Sequence, residues 1–343
     1  MNYGGSGASK DDPIVIDTLQ DLAPLMQKSA GSVLHIAFPE TYNGPKVIDL
    51  RSAGWNPNGR INIDWTTDGI QTIRRYVYFN GWTILGLSIM GSFFLNLVIN
   101  GRTNANEKQI YFYDLTIKNA YILGGEGEAW LFRTEASYGC RIYFYRCKFS
   151  MMLDSQTAST YAFASTVDEE EFYFLQCSFN IRLNSNNASY SYKTWIMNDF
   201  RQYRWLMRNC IMNIRSNNFR AWGTSDNDSL VTCTNMQFSK IVGDIKCTAS
   251  GSTEVKLLFS KSGCFYNVVD MAYRHYTEEG VVRISFGTGM NIVNKDNFKF
   301  SNGNAMADSE ITGNNKSVIT TEQMLDADYL NSINFIVGDP PSD

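Results

Sequence analysis

The chain has 343 residues, of which 44% are hydrophobic and 19% charged, enough to build a core and too apolar for a disordered polymer. Its net charge of −4, with no basic cluster, gives no electrostatic reason to bind nucleic acid. Aromatic residues reach 14%, mostly Tyr and Phe, and prolines number only seven, a composition that favours strands.

From the N-terminus, MNYGGSGASKDD is polar and Gly-rich and does not read as a signal peptide. Seven cysteines then read as free thiols rather than as a disulfide framework. Residues 14–28 look partly helical, with Thr18 as a cap and Leu19, Leu22, Leu25 and Met26 on one face, while Pro24 argues against one regular helix. Residues 1–30 are accordingly expected to form a cap or attachment segment.

Phe79 to Gly101 carries no charge and is long enough for a membrane check. Its apolar residues alternate instead, through Leu85, Leu87 and Ile89, then Phe93, Leu95, Leu97 and Ile99. The break at Met90-Gly91-Ser92 makes this two buried strands and a turn. No membrane partner is expected.

A pattern of apolar, any, apolar, any, polar, apolar, any, apolar recurs from Val77, Ile110, Ile142, Phe172, Trp205, Val231 and Leu258, at spacings of 26 to 33 residues. Aligned units give columns. Two residues on stand Phe79, Phe112, Phe144, Phe174, Met207, Cys233 and Ser260. Five on stand Trp82, Leu115, Cys147, Cys177, Cys210, Met236 and Gly263. Seven on stand Ile84, Ile117, Phe149, Phe179, Met212, Phe238 and Phe265. The alternation slips by one inside each unit, which would turn half of a flat strand to solvent. A bend at Gly81, Asp114, Arg146, Gln176, Asn209, Asn235 or Ser262 lets both short strands face one core. Stacked units of this kind predict an all-β fold, a single-stranded parallel β-helix, right-handed because parallel crossovers are. The coil is expected over residues 31–305, with a C-terminal cap at 306–343. That cap holds a short helix opening on a capping box from Thr320 to Gln323.

Chemistry is thin. The bend column offers one acid, Asp114, and no carboxylate pair. Other acids, Glu126, Glu128, Asp154, Asp168 to Glu171 and Asp199, read as solvated loop residues. His35 and His275 stand alone, outside any metal-ligand spacing. Cys147, Cys177 and Cys210 share a core column and read as buried small residues. No catalytic, cofactor-binding or metal-binding residue is assigned, and no cofactor is expected.

One outward position is distinctive. Tyr78, Tyr111, Tyr143 and Tyr173 follow the first column, and Tyr113 and Tyr145 lie two residues further on. A ladder of tyrosines on an outer face marks contact. Three readings compete: flanking loops fold over it, identical subunits pack on it, or sugar rings lie across it.

The units IYFYDLTI, IYFYRCKF, FYFLQCSF and WLMRNCIM, with the ending TTEQMLDADYLNSINFIV, resemble the pectate-lyase-like β-helix family of phage fibres and tailspikes, including β-helix structural proteins of phages of gut Bacteroidetes. The resemblance implies a structural virion protein of the head or tail, a fibre or decoration protein, assembled in the bacterial host cytoplasm. It implies a homotrimer, attached to other virion proteins through its N-terminal segment, that presents a surface for host attachment through surface polysaccharide. The alternative it offers is a tailspike-type polysaccharide depolymerase, a lyase or glycoside hydrolase. No catalytic pair of the family matches a position here.

Overall fold

A computed structural model describes residues 4–53, 60–66, 71–99, 107–135, 139–165 and 171–185, and beyond them the strands and helical segments between 194 and 332. The fold is an all-β parallel solenoid with short flanking segments. Every named strand pairs in parallel with a strand of an adjacent rung.

Three sheets run along the coil. The first holds Ile14–Val15, Val33–Ala37, Ile73–Tyr78, Lys108–Tyr113, Arg141–Tyr145, Glu171–Leu175, Arg204–Arg208 and Leu230–Thr234. The second begins with Val47–Asp49, then Thr83–Leu85 and Ser88–Met90, both against Thr116–Gly124. It continues through Lys148–Ser155, Ser178–Ser185, Ile211–Ser216 and Met236–Ile245 to Cys264–Tyr266 and Met271–His275. It ends with Asn291–Asn294, Phe298–Phe300 and Lys316–Ile319. The third holds Ile61–Asp64, Phe93–Val98, Ala129–Glu135, Thr160–Ser165, Thr194–Asp199 and Trp222–Thr224. Ile284–Phe286 pairs separately with Ile311–Gly313. Strand pairing therefore runs past residue 305 to Ile319.

The bend between the first and second sheets is one residue in the left-handed region: Asp114 at φ 57°, Arg146 at 53° and Gln176 at 57°. One such residue reverses which side of the backbone faces inward. That is why the apolar parity slips once per unit while both strands bury their side chains. Phe112, Phe144 and Phe174, before the bend, and Leu115, Cys147 and Cys177, after it, are all buried.

The first regular rung departs from the predicted register. Val77 pairs with Phe112, not Ile110, and Tyr76 pairs with Tyr111. Its bend is two residues longer, built on Asn80 at φ 50° and Gly81 at φ 81°, with the Trp82 N–H donating to the Phe79 carbonyl at 2.9 Å. Two consecutive positive φ values suit Asn-Gly. At the other end Phe265 pairs with Gln237 rather than Phe238, and residues 258–263 of the unit predicted from Leu258 lie outside the described residues.

The core is phenylalanine-rich. Phe144 from the first sheet, Phe149 from the second and Phe163 from the third meet edge-to-face, with centroids 5.3 to 5.6 Å apart. Each also stacks on its neighbour in an adjacent rung: Phe144 on Phe174 at 4.9 Å, Phe149 on Phe179 at 5.3 Å and Phe132 on Phe163 at 5.4 Å. Both geometries suit the ring quadrupole and add to area burial. Cys147 and Cys177 are buried among these rings as free thiols, as their shared column predicts. The side chain of Cys210 is not among those described.

Leu19–Met26 forms a helix, α1, despite Pro24 inside it. Thr18 caps it, accepting from the Asp21 N–H at 3.0 Å, and Leu19, Leu22 and Met26 are buried against the coil. Burial of three large apolar side chains offsets the hydrogen bond that Pro24 cannot donate. Arg75 occupies the core column of Ile110 and is itself fully buried. Its guanidinium donates to the carbonyls of Leu25, Gln27, Gly31 and Ser32, which end the helix and the turn after it, and to that of neighbouring Arg74. At the far end Thr320 and Gln323 form the reciprocal capping box, and a short helix, α2, spans Ala327–Ser332.

The uncharged stretch after Phe79 forms three short strands rather than two, Thr83–Leu85, Ser88–Met90 and Phe93–Val98. The breaks carry Gly86 at φ 72° and Gly91 at φ 54°. Among the described residues no helix is long and apolar enough to cross a membrane.

Candidate functional site: the tyrosine face

Strand alternation sends every second residue of the first sheet outward. Cross-strand register assembles these residues into columns. The inner column runs His35, Tyr76, Tyr111, Tyr143 and Tyr173. The outer column runs Tyr78, Tyr113 and Tyr145, then Leu175.

Tyr78 therefore belongs with Tyr113 and Tyr145, not with Tyr111, Tyr143 and Tyr173. The position expected for it is held by Tyr76, with His35 beyond. The sequence did carry the signal: Tyr76-Val77-Tyr78, Tyr111-Phe112-Tyr113 and Tyr143-Phe144-Tyr145 align as triplets. The longer Asn80-Gly81 bend hid it, because counting back from Trp82 displaces the rung by two residues.

The rings stack face to face. Centroid distances in the inner column are 4.4 Å for His35–Tyr76, 4.6 Å for Tyr76–Tyr111, and 4.5 Å for both Tyr111–Tyr143 and Tyr143–Tyr173. In the outer column they are 4.9 Å for Tyr78–Tyr113 and 5.0 Å for Tyr113–Tyr145. Interplanar angles stay at 16° or less. The strand spacing of roughly 4.7–4.9 Å sets this repeat. A π-face inside either column is covered by the next ring, so edges and hydroxyls remain to meet a partner.

Several polar tips are engaged. Tyr111 donates to Gln109 Oε1 at 3.0 Å, Tyr173 donates to Glu171 Oε2, and His35 Nδ1 lies 3.1 Å from the Tyr78 hydroxyl. No hydrogen bond ties the Tyr76 or Tyr113 hydroxyl among the described residues. Burial, then neighbouring Tyr76, pushes Tyr78 up to about 12. Tyr111, Tyr113, Tyr143 and Tyr173 are raised too, burial first. All stay neutral phenols at neutral pH. Burial alone lowers His35, which favours the uncharged imidazole on the stack.

Two polar columns flank the rings. On one side stand Arg74, Gln109, Arg141 and Glu171, where Arg141 pairs with Glu171. On the other stand the bend residues Asn80, Asp114, Arg146 and Gln176. Arg146 there grips Asp114 as a fork, at 2.8 and 3.2 Å.

The acids expected in loops sort differently. Asp154 lies in a strand and is buried, accepting from the Tyr121 hydroxyl at 2.8 Å and from Asn184 at 3.2 Å. Glu128 accepts from the Tyr161 hydroxyl at 3.0 Å, and Glu126 is exposed. Asp168, Glu169 and Glu170 lie outside the described residues, as does the Asp199 side chain. No cluster of potential metal ligands occurs among the described residues.

The fold and this face define the class: a parallel β-solenoid, consistent with pectate-lyase-like and tailspike folds, carrying a stacked aromatic ladder. No family model, curated protein or solved structure matches the chain.

Proposed function

We propose that this chain is a structural protein of a bacteriophage particle, a fibre or decoration β-helix that associates with copies of itself through the tyrosine face. One observation carries the reading: seven tyrosines and a histidine are stacked into two columns whose edges form an even, half-buried surface. Seen from solvent, such a surface is largely apolar ring edge with hydroxyls at a fixed repeat. A second coil has the same repeat, so its own outward columns can meet this one rung for rung. Sugar rings stacking on the tyrosines would need open π-faces, and those inside the columns are covered.

The virion setting rests on the sequence resemblance, as does attachment to other virion proteins through the N-terminal segment. Sedimentation velocity of the purified chain tests the self-association. Concentration-dependent assembly at micromolar protein is expected, and Tyr113→Ser with Tyr145→Ser should weaken it without lowering the melting temperature below that of other surface variants. A chain that stays monomeric throughout removes the reading. Reducing-end release from bacterial capsule would replace it with a depolymerase.

A further inference from the structure

We propose that the tyrosine face pairs with the same face of a second copy turned end for end, about a twofold axis that runs parallel to the strands between the rungs of Tyr111 and Tyr143. This rests on the self-association proposed above and specifies its geometry, a twofold dimer in place of the homotrimer that the sequence resemblance implies.

A twofold axis along the strands keeps each column opposite itself and reverses the order of rungs. The four tyrosines of the inner column are symmetric under that reversal. Tyr111 meets Tyr143 of the second copy, and Tyr76 meets Tyr173. In the outer column Tyr113 meets Tyr145. Identical side chains therefore face each other across the centre, at matched spacing.

The flanking columns supply the charge argument. Under the same operation Asp114 faces Arg146 of the second copy, and Arg146 faces Asp114. Arg74 faces Glu171, and Gln109 faces Arg141. Each pairing is opposite in charge or charged against neutral. Asp114 and Arg146 matter most, because their side chains are 35% and 40% exposed although already paired within the chain. Two such pairs brought together form an alternating square of four charges. Glu171 is nearly buried and contributes less. The competing arrangement keeps the coils parallel, with each rung opposite itself and one flank opposite the other. It would set Arg141 against Arg146 and leave Asp114 against Gln109. Like charges across an interface select against that register.

The face is modest. About six rungs by about six residues, at roughly 4.8 Å and 3.3 Å each, give on the order of 600 Å² per partner. That sits at the low end of specific interfaces, so a monomer–dimer equilibrium in the micromolar range is expected.

The test is a charge swap on the full chain, read by sedimentation across about 1 to 100 µM. Asp114→Arg alone and Arg146→Asp alone should each weaken dimerisation at least tenfold. An equimolar mixture of the two should restore it, since each arginine then meets an aspartate in both contacts. Association of the native chain with no rescue in the mixture overturns the twofold geometry and leaves self-association standing. A native chain that stays monomeric overturns both. Should either charge-reversed chain fail to fold, Asp114→Asn and Arg146→Gln replace it. Each should weaken the dimer several-fold, and unchanged association would overturn the geometry.

Discussion

Asp114, Arg146 and Gln176 hold φ between 53° and 57° without being glycine. The left-handed region costs an L-residue roughly 1–2 kcal/mol, least for residues with a flexible or short polar side chain. A β-branched residue there is worse. Gln176→Val should destabilise the chain by about 1–2 kcal/mol, whereas Gln176→Asn should stay within about 0.5 kcal/mol, read as shifts in the urea midpoint. His35 gives a second residue-scale expectation. Its folded pKa lies below the ordinary 6.5, so the unfolded chain binds the proton more readily. Stability is full above about pH 6.5 and falls as pH drops through that value. His35→Asn should flatten the acid side of a melting-temperature profile between pH 7 and 5.5. The tyrosines act in the opposite direction. Their raised values keep stability intact to about pH 10, and it declines as pH rises toward about 12, the folded value of Tyr78.

At the scale of elements, the N-terminal cap depends on one side chain. Arg75 satisfies four carbonyls where α1 and its following turn end, and a fifth on neighbouring Arg74. Burial lowers its pKa to about 10, which leaves it charged at neutral pH. Arg75→Met would fill the Ile110 column with an apolar side chain and strand those carbonyls, a loss of about 3 kcal/mol or more. A solenoid has only neighbour-to-neighbour contacts, so the damage should stay local. Hydrogen exchange should accelerate over residues 19–37 and remain unchanged in the rungs of Phe112 and Phe144. The bend of the first rung teaches a related lesson. The register of one strand turned on two extra residues in the bend of Asn80 and Gly81, where the sequence reading placed a bend at Gly81 alone. Their pairing consequence appears only when the next strand is laid beside them.

At the scale of the whole molecule, the coil is held by aromatic columns inside and outside. The inner set joins all three sheets through Phe144, Phe149 and Phe163. Phe144→Ala should cost about 3–5 kcal/mol, because the cavity would open between close-packed rings on both neighbouring rungs. Denaturant unfolding of that variant measures it. The outer set adds stiffness along the axis and leaves a face whose partner is the central functional question. There, association and stability should separate: changes to Tyr113 and Tyr145 act on assembly, and changes to Phe144 act on folding.

The sequence alone determined the class of fold, since a repeat of 26 to 33 residues with one parity slip has few other solutions. It also determined the core columns around Phe112, Phe144 and Phe174, the buried cysteines and the polar bend, because all follow from local alternation. The tertiary structure decided what depends on register between distant strands. It moved Tyr78 into the outer column, brought His35 and Tyr76 into the inner one, and put Arg75 inside the core. It also decided what tyrosines on an outer face become. Parallel strands at one fixed spacing stack identical rings face to face, which covers their π-surfaces within each column and turns edges and hydroxyls outward.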